Sequence, residues 1–343
     1  MGKRILAGVV VLVCAAAPPG ASAAAGAAPT AHHHYRICRS WAQHQRIAAA
    51  MSRAISDAVR DRRDETPVVA VRVDDPYLGI GCWLHTRRHF DSASAVKTII
   101  LAALLHKAHA EHRWLTRRER RLAWRMITES DNDAATALWN DVGGHSLRRF
   151  LHLAGLRETE LSPAWGLTQI TARDETTLLH HLLQPNRVLT TKARYYELYL
   201  MAHVIPAQRW GVPAGAPDGF TVHVKNGWAP LPLATSPWWV NSTGCFTHRG
   251  RGYTIVVLTE GNASATTGIR TIEDIAFQVN RDLNPHARSV VPYSRPRKSW
   301  RQPDEPVPVA VSPGPSLSPS PSPVRSRHCV RILGIWVCVR VGA

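Results

Sequence analysis

Helix-type and strand-type hydrophobic periodicity are segregated along this chain, and that order constrains the fold more than any other feature. From Ser40 to Arg60 apolar residues recur at helical spacing through Ile47, Met51 and Ile55. Val68 to Val73 and Leu78 to Leu84 then read as two strands of a hairpin that turns at Asp74-Asp75-Pro76. A block of helices follows. Ser94 to His106 is strongly apolar, Thr116 and Glu119 form a capping box ahead of a helix through Ile127, and Asn132 to Val142 is a further helix stopped by Gly143-Gly144. Helical patterns resume at Asp174 to Leu183 and near Tyr195 to Val204. Three strands (Phe220 to Lys225, Trp238 to Cys245, Tyr253 to Leu258) and an amphipathic helix, Ile272 to Leu283, close the series. Strands at both ends around a helical block predict an α+β fold, with an antiparallel sheet built from both chain ends and packed against the central helices.

The flanks of this domain differ in kind. Lys3 and Arg4 precede an apolar run from Ile5 to Ala17, and Ala21-Ser22-Ala23 offers a small-x-small cleavage site, so residues 1–23 read as a signal peptide. The run is too short to span a bilayer, which takes about 20 apolar residues, and no later segment is long enough, so no transmembrane segment is expected. Cys14 follows Val13, where a lipoprotein signal wants a small residue, and reads as an ordinary leader cysteine. Residues 24–37 are Ala-rich, with His32-His33-His34, and read as a solvated N-terminus. The folded domain is placed at 38–288. Residues 289–327 form a basic linker whose stretch from 302 to 323 is dominated by Pro and Ser, and 328–343 form a short tail in which Cys329 and Cys338 flank a small hairpin around Gly334.

Export permits disulfides. Of the six cysteines, Cys14 leaves with the leader and the odd remainder leaves one thiol over. Cys329 with Cys338 and Cys38 with Cys82 are the expected pairs, and Cys245 is the free thiol. The formal charge of +17 suits contact with anionic cell-wall polymers, although arginines scattered throughout give the same sum without a partner. Neither zinc-finger spacing nor an RNA-binding aromatic signature is present, so no specific nucleic acid is expected.

Ser94-Ala95-Val96-Lys97 opens the first helix of the block. The i,i+3 spacing puts hydroxyl and amine on one face, and the helix N-terminus favours a neutral amine that can accept a proton. Alone the pair is unspecific. It is accompanied by Ser130-Asp131-Asn132 between two helices and by Lys225-Asn226-Gly227 at the end of a strand. These elements, in this order, resemble the SxxK, SDN and KTG boxes of class A β-lactamases and penicillin-binding serine hydrolases, over roughly residues 40 to 285. The resemblance implies Ser94 as the acylated nucleophile, Lys97 in proton transfer and Ser130 as proton relay to the leaving nitrogen. It also implies substrate binding by Asn132, Lys225 and Gly227, with backbone N–H groups of Ser94 and Trp228 as the oxyanion hole. Asp131 serves equally well as a helix cap. No metal or organic cofactor is implied. The substrate expected is a β-lactam or a small peptidoglycan-derived peptide. The alternatives are a cell-wall peptidase or esterase, and a catalytically weak wall-binding protein.

Two departures bear on function. Asn226 stands where the family has Thr or Ser, and bulky Trp228 follows Gly227, which puts carboxylate recognition in doubt. The segment after Gly155 reads Leu161-Ser162-Pro163-Ala164-Trp165-Gly166-Leu167-Thr168 and lacks the Glu-x-x-Leu-Asn pattern that positions the deacylating water. Glu158 and Glu160 are the nearby carboxylates. Slow deacylation is therefore expected.

Overall fold

The computed structural model describes residues 37–230, 237–289, 291–292 and 294, together with the backbone of 327–332 and 335–340. The expected leader, the His32-His33-His34 segment and the Pro/Ser-rich stretch lie outside the described residues.

The elements run β1 (Cys38–Ser40), α1 (Gln45–Asp61), β2 (Val68–Asp75), β3 (Ile80–Leu84), β4 (Phe90–Asp91), a 3₁₀ turn (Ala93–Val96) and α2 (Lys97–Ala110). There follow α3 (Arg117–Thr128), α4 (Asn132–Ala154), β5 (Gln169–Ile170), α5 (Ala172–Leu183) and α6 (Thr191–Ala202), then β6 (Thr221–Pro230), β7 (Trp238–His248), β8 (Arg251–Asn262) and α7 (Ala265–Leu283). Six strands form one antiparallel sheet in the order β1-β3-β2-β8-β7-β6, so the first and last thirds of the chain meet where β2 pairs with β8. The α+β architecture anticipated from the segregated periodicities is the one observed.

Alternation along the strands builds two cores. Val69, Val71 and Val73 of β2 and Ile255 and Val257 of β8 pack with Met51 and Ile55 of α1 and Ile272, Ile275 and Val279 of α7. Ala70, Val256 and Leu258 point the other way, into the helical block, where α2 is buried from Thr98 through Leu105. A helix buried all round can be apolar all round, which is why α2 shows no stripe.

Three sequence expectations change in detail. The segment from Ser94 does not begin as α-helix: Ala93–Val96 is a 3₁₀ turn and α2 starts at Lys97. In that geometry i and i+3 eclipse, so Ser94 and Lys97 still share a face. Gly143 does not end a helix; it breaks α4 at φ 78°, ψ 151°, and helix resumes to Ala154, where Gly155 caps it at φ 70°. The last strands and α7 are longer than their apolar cores, because hydrogen-bonded neighbours and the Ser264 cap extend them. The Thr116–Glu119 capping box is present in both directions.

Cys38 and Cys82 face each other in the β1–β3 register and are joined by a disulfide, and Cys245 is a buried free thiol, as expected. In the tail, β9 (Arg327–Ile332) and β10 (Ile335–Arg340) pair antiparallel with Cys338 opposite Cys329; the side chains of that expected bridge lie outside the described residues. Among the described residues no helix is long and apolar enough to cross a membrane.

Candidate active site

The site forms where the 3₁₀ turn before α2, the α3–α4 junction and the edge strand β6 converge. Ser94 is 6% exposed, and its turn is fastened from three sides. Ser92 N–H donates to Thr168 O (2.9 Å), Ala95 N–H donates to Ser92 O (3.0 Å), and the Asn241 amide of β7 donates to Asp91 O (2.8 Å) and Ser92 O (3.3 Å). Ala93 lies at φ 45°, a left-handed conformation that a non-glycine residue adopts only when its surroundings enforce it.

Gly227, opposite Asn241 in the β6–β7 register, presses its backbone against this turn. A Cβ there would stand 2.5 Å from Ser92 O, 2.7 Å from Ala95 N and 2.8 Å from Ser94 N. Only glycine lets the strand approach so closely.

Ser130 also sits at a left-handed φ, 57°, between α3 and the Asp131 cap of α4, whose carboxylate accepts from Ala134 N–H (2.7 Å). The second Asp131 oxygen takes Arg125, so the cap role proposed for Asp131 accounts for both oxygens. The turn presents Ser130 Oγ to two buried amines: Lys97 Nζ at 3.2 Å and Lys225 Nζ at 2.9 Å. Lys97 Nζ also donates to Ser130 O (2.6 Å) and Asn132 Oδ1 (2.8 Å), and Lys225 Nζ donates to Asn226 O (2.8 Å).

Burial, and then the charge of Lys225, hold Lys97 well below the usual lysine range. Burial brings Lys225 down to about 7. A neutral Lys97 amine has two N–H bonds and one lone pair. The N–H bonds match Ser130 O and Asn132 Oδ1, which leaves the lone pair for a hydroxyl proton.

The far side of Lys97 is covered by Trp165, whose ring centre is 4.9 Å from Nζ and whose indole N–H donates to Thr136 Oγ1 (3.1 Å). Glu158 lies elsewhere: Arg87 (2.6 Å), Arg173 (3.3 Å) and the Thr171 hydroxyl (3.2 Å) occupy its oxygens. Glu160 is 73% exposed beside His89. Among the described residues no carboxylate bonds to Lys97.

Asn226 departs from the pattern in contact as well as in identity. Its amide donates to Gln208 O (2.8 Å) and Trp210 O (3.0 Å), so both N–H groups tie down the segment beside β6. Trp228 packs edge-on against Trp210, 5.6 Å between ring centres. Sequence reasoning did not single out Asn241, Thr136 or Trp165 as site residues. Asn241 falls in an alternating strand with no motif around it, and Trp165 reads as core. Among the described residues no group of three or more His, Cys, Asp or Glu side chains converges as a metal site requires.

Sheet order and the arrangement around Ser94 together define a serine-hydrolase fold of the β-lactamase and penicillin-binding type. Residues 116–283 match the profile of the β-lactamase enzyme family. Solved structures agree in fold. The extended-spectrum β-lactamase TLA-1 is 18% identical with a TM-score of 0.59, over 68% of this chain and 99% of that one. A PBP-A mutant in acyl-enzyme complex with penicillin G is 17% identical with a TM-score of 0.58, over 69% and 97%. A β-lactamase from Sphaerobacter thermophilus DSM 20745 is 19% identical with a TM-score of 0.56, over 67% and 96%. No curated protein matches this chain. The family match starts after the Ser94 turn, so the reading of that turn rests on its geometry.

Proposed function

We propose that this chain is an exported active-site-serine hydrolase that forms an acyl-enzyme on Ser94 with β-lactams and releases it slowly. The observation that carries the reading is the Ser130 hydroxyl held between two buried amines of depressed proton affinity, 3.2 Å from Lys97 and 2.9 Å from Lys225. A binding module has no use for two desolvated lysines around one hydroxyl.

Ser94 Oγ passes its proton to the neutral Lys97 amine and attacks the lactam carbonyl carbon. The oxyanion is held by the N–H groups of Ser94 and Trp228, which Gly227 brings together. Ser130 gives its proton to the leaving nitrogen as the C–N bond breaks and is reprotonated from the lysine pair. Lys225 supplies positive potential for an anionic substrate, and Asn132 binds its amide.

Deacylation needs a water activated on the other face of the ester, and general-base help there is worth about 10²- to 10⁴-fold. Trp165 covers the corresponding side of Lys97, and Glu158 is consumed by arginines. The acyl-enzyme should accumulate. Mixing the protein with a chromogenic β-lactam should give one equivalent of product in a burst, then slow turnover that is unchanged in Glu158→Gln and Glu160→Gln. A covalent adduct should map to Ser94 and vanish in Ser94→Ala. Labelling that survives in Ser94→Ala overturns the assignment; fast turnover without a burst overturns the slow step.

One observation favours a second reading, a wall peptidase or esterase. Both N–H groups of the Asn226 amide are engaged by main-chain carbonyls, so this position offers no donor to a substrate carboxylate beside Lys225, where the family's Thr or Ser offers a hydroxyl. Acylation by an uncharged ester faster than by a carboxylated penicillin selects this reading.

On this reading residues 1–23 are a leader removed on export, and the surplus of basic residues would hold the mature protein near anionic wall polymers. N-terminal sequencing of the released protein tests the cleavage after Ala23.

A further inference from the structure

A second cleft, of about 990 Å³, opens between α5 and α6 and the far ends of β6, β7 and β8. None of Ser94, Lys97, Ser130, Asn132 and Gly227 lines it. His223 is the β6 residue of the cleft nearest in sequence to Gly227, which presses on the Ser94 turn, and the two are four strand residues apart, or about 13 Å.

Arg194 of α6 lines this cleft while only 6% exposed. Its Nε is buried without a hydrogen-bond partner, and among the described residues no carboxylate pairs with its guanidinium; the Tyr195 ring centre is 5.9 Å from its Cζ. Burying a charge without a partner is costly, and such a group is retained where something else completes it. Glu197, three residues on, does not do so. It is fully buried with both oxygens unpartnered and makes no ion pair with Arg194, and burial together with Glu175 holds it well above the usual carboxylate range.

The rest of the lining points the same way. Asp74 is the one carboxylate in it, and Arg72 already holds it at 2.5 Å. Arg251 is matched by Asp75 at 2.5 Å, whereas exposed Arg249 has no ion-pair partner among the described residues. Two positive charges are therefore left over, one of them sunk in the cleft. Tyr77, Tyr195 and Tyr199, which are 73%, 66% and 51% exposed, also line it; Arg251 lies over one face of Tyr77 (5.1 Å) and His203 packs on Tyr199 (4.1 Å between ring centres), and the exposed sides of the rings are left to a ligand ring.

We infer that this cleft binds a phosphate ester of a sugar or polyol, with the phosphate on Arg194 and Arg249 and the carbon skeleton against the tyrosines. Two guanidiniums fit a doubly charged tetrahedral oxyanion better than a single carboxylate. The ligand must thread its anion to a buried arginine, so a lone phosphate end on a slim chain or ring fits and a flat charged surface does not.

The test is calorimetric titration of the full chain with glucose 6-phosphate, glucose, glucuronate and inorganic phosphate. Glucose 6-phosphate should bind at least tenfold more tightly than glucose or glucuronate, and more tightly than inorganic phosphate. Arg194→Gln should weaken it at least tenfold with an unchanged or raised melting temperature for the free protein, since a buried unpaired charge is removed. Arg249→Gln, an exposed change with little bearing on folding, should weaken it severalfold and serves if Arg194→Gln fails to fold. Equal affinity in the arginine variants, or no binding of glucose 6-phosphate at 10 mM, overturns the inference. So does loss of binding after Ser94 is acylated by penicillin, which would place the ligand in the hydrolase site. Because the readout is binding, a failure of acylation on Ser94 leaves this result independent.

Discussion

At the scale of single residues, the acylation proposed for Ser94 would depend on two lysines and one glycine. Burial, and then the charge of Lys225, hold Lys97 well below its ordinary range, while burial brings Lys225 down to about 7. As pH rises through about 7, Lys225 loses its proton, and on the proposed function the site would lose its attraction for an anionic penicillin. The acylation rate constant should therefore fall on the alkaline side with an apparent midpoint near 7, and Lys225→Arg, charged at any accessible pH, should abolish that limb. An alkaline limb unchanged in Lys225→Arg assigns it to another group. Gly227→Ala would drive a Cβ to within 2.5 Å of Ser92 O and displace the nucleophile turn. Misplacement of that order costs about 10²-fold in rate. Stopped-flow acylation should show such a loss with the melting temperature lowered only modestly, and wild-type acylation in Gly227→Ala would contradict the close approach.

At the scale of elements, the junctions matter more than the bodies. Helix α4 survives its break because Gly143 adopts φ 78°, ψ 151°, a region essentially reserved for glycine. A Cβ at Gly143 would meet nothing within 4 Å, so the cost of Gly143→Ala is backbone strain alone. It should destabilise the protein by about 1–3 kcal/mol in urea denaturation; a neutral substitution would mean the break relaxes to a continuous helix. The sequence pair Gly143-Gly144 announced an interruption, and a glycine pair cannot say whether a chain stops or bends there. That depends on whether the next turn finds apolar cover, which Leu147, Phe150 and Leu151 do in the helical core. In the same way the capping box at Thr116 was legible because it is local, while the 3₁₀ entry to α2 was not, because β6 pressing on the turn imposes it.

At the scale of the whole molecule, β1 and β6 are opposite edges of one sheet. The Cys38–Cys82 bridge ties β1 to β3 across a sequence separation of 44, and a loop of that size stabilises by about 3–4 kcal/mol in the chain-entropy account. The double variant Cys38→Ala with Cys82→Ala should lose about 2–4 kcal/mol in urea denaturation. Its acylation rate at 25 °C should match the wild type, because the nucleophile turn rests on the far edge. A selective loss of acylation would reveal coupling across the sheet.

What the sequence determined by itself was everything that local chemistry or strict periodicity encodes. That covers the segregated helices and strands, the capping box, the β2–β3 hairpin, although its turn falls at residues 76–79 rather than at Asp74-Asp75-Pro76, both aspartates being paired in the strand, and the three boxes that put Ser94, Lys97, Ser130 and Lys225 in order. Tertiary structure decided the rest. Asn241 fastens the nucleophile turn from a strand some 150 positions away, Trp165 rather than a carboxylate covers Lys97, Asn226 is turned to the backbone of Gln208 and Trp210, and Arg194 is left buried and unpaired beside a cleft. Each of these depends on which desolvated group meets which partner across the sheet. Burial and pairing are properties of the assembled core, and no spacing along the chain records them.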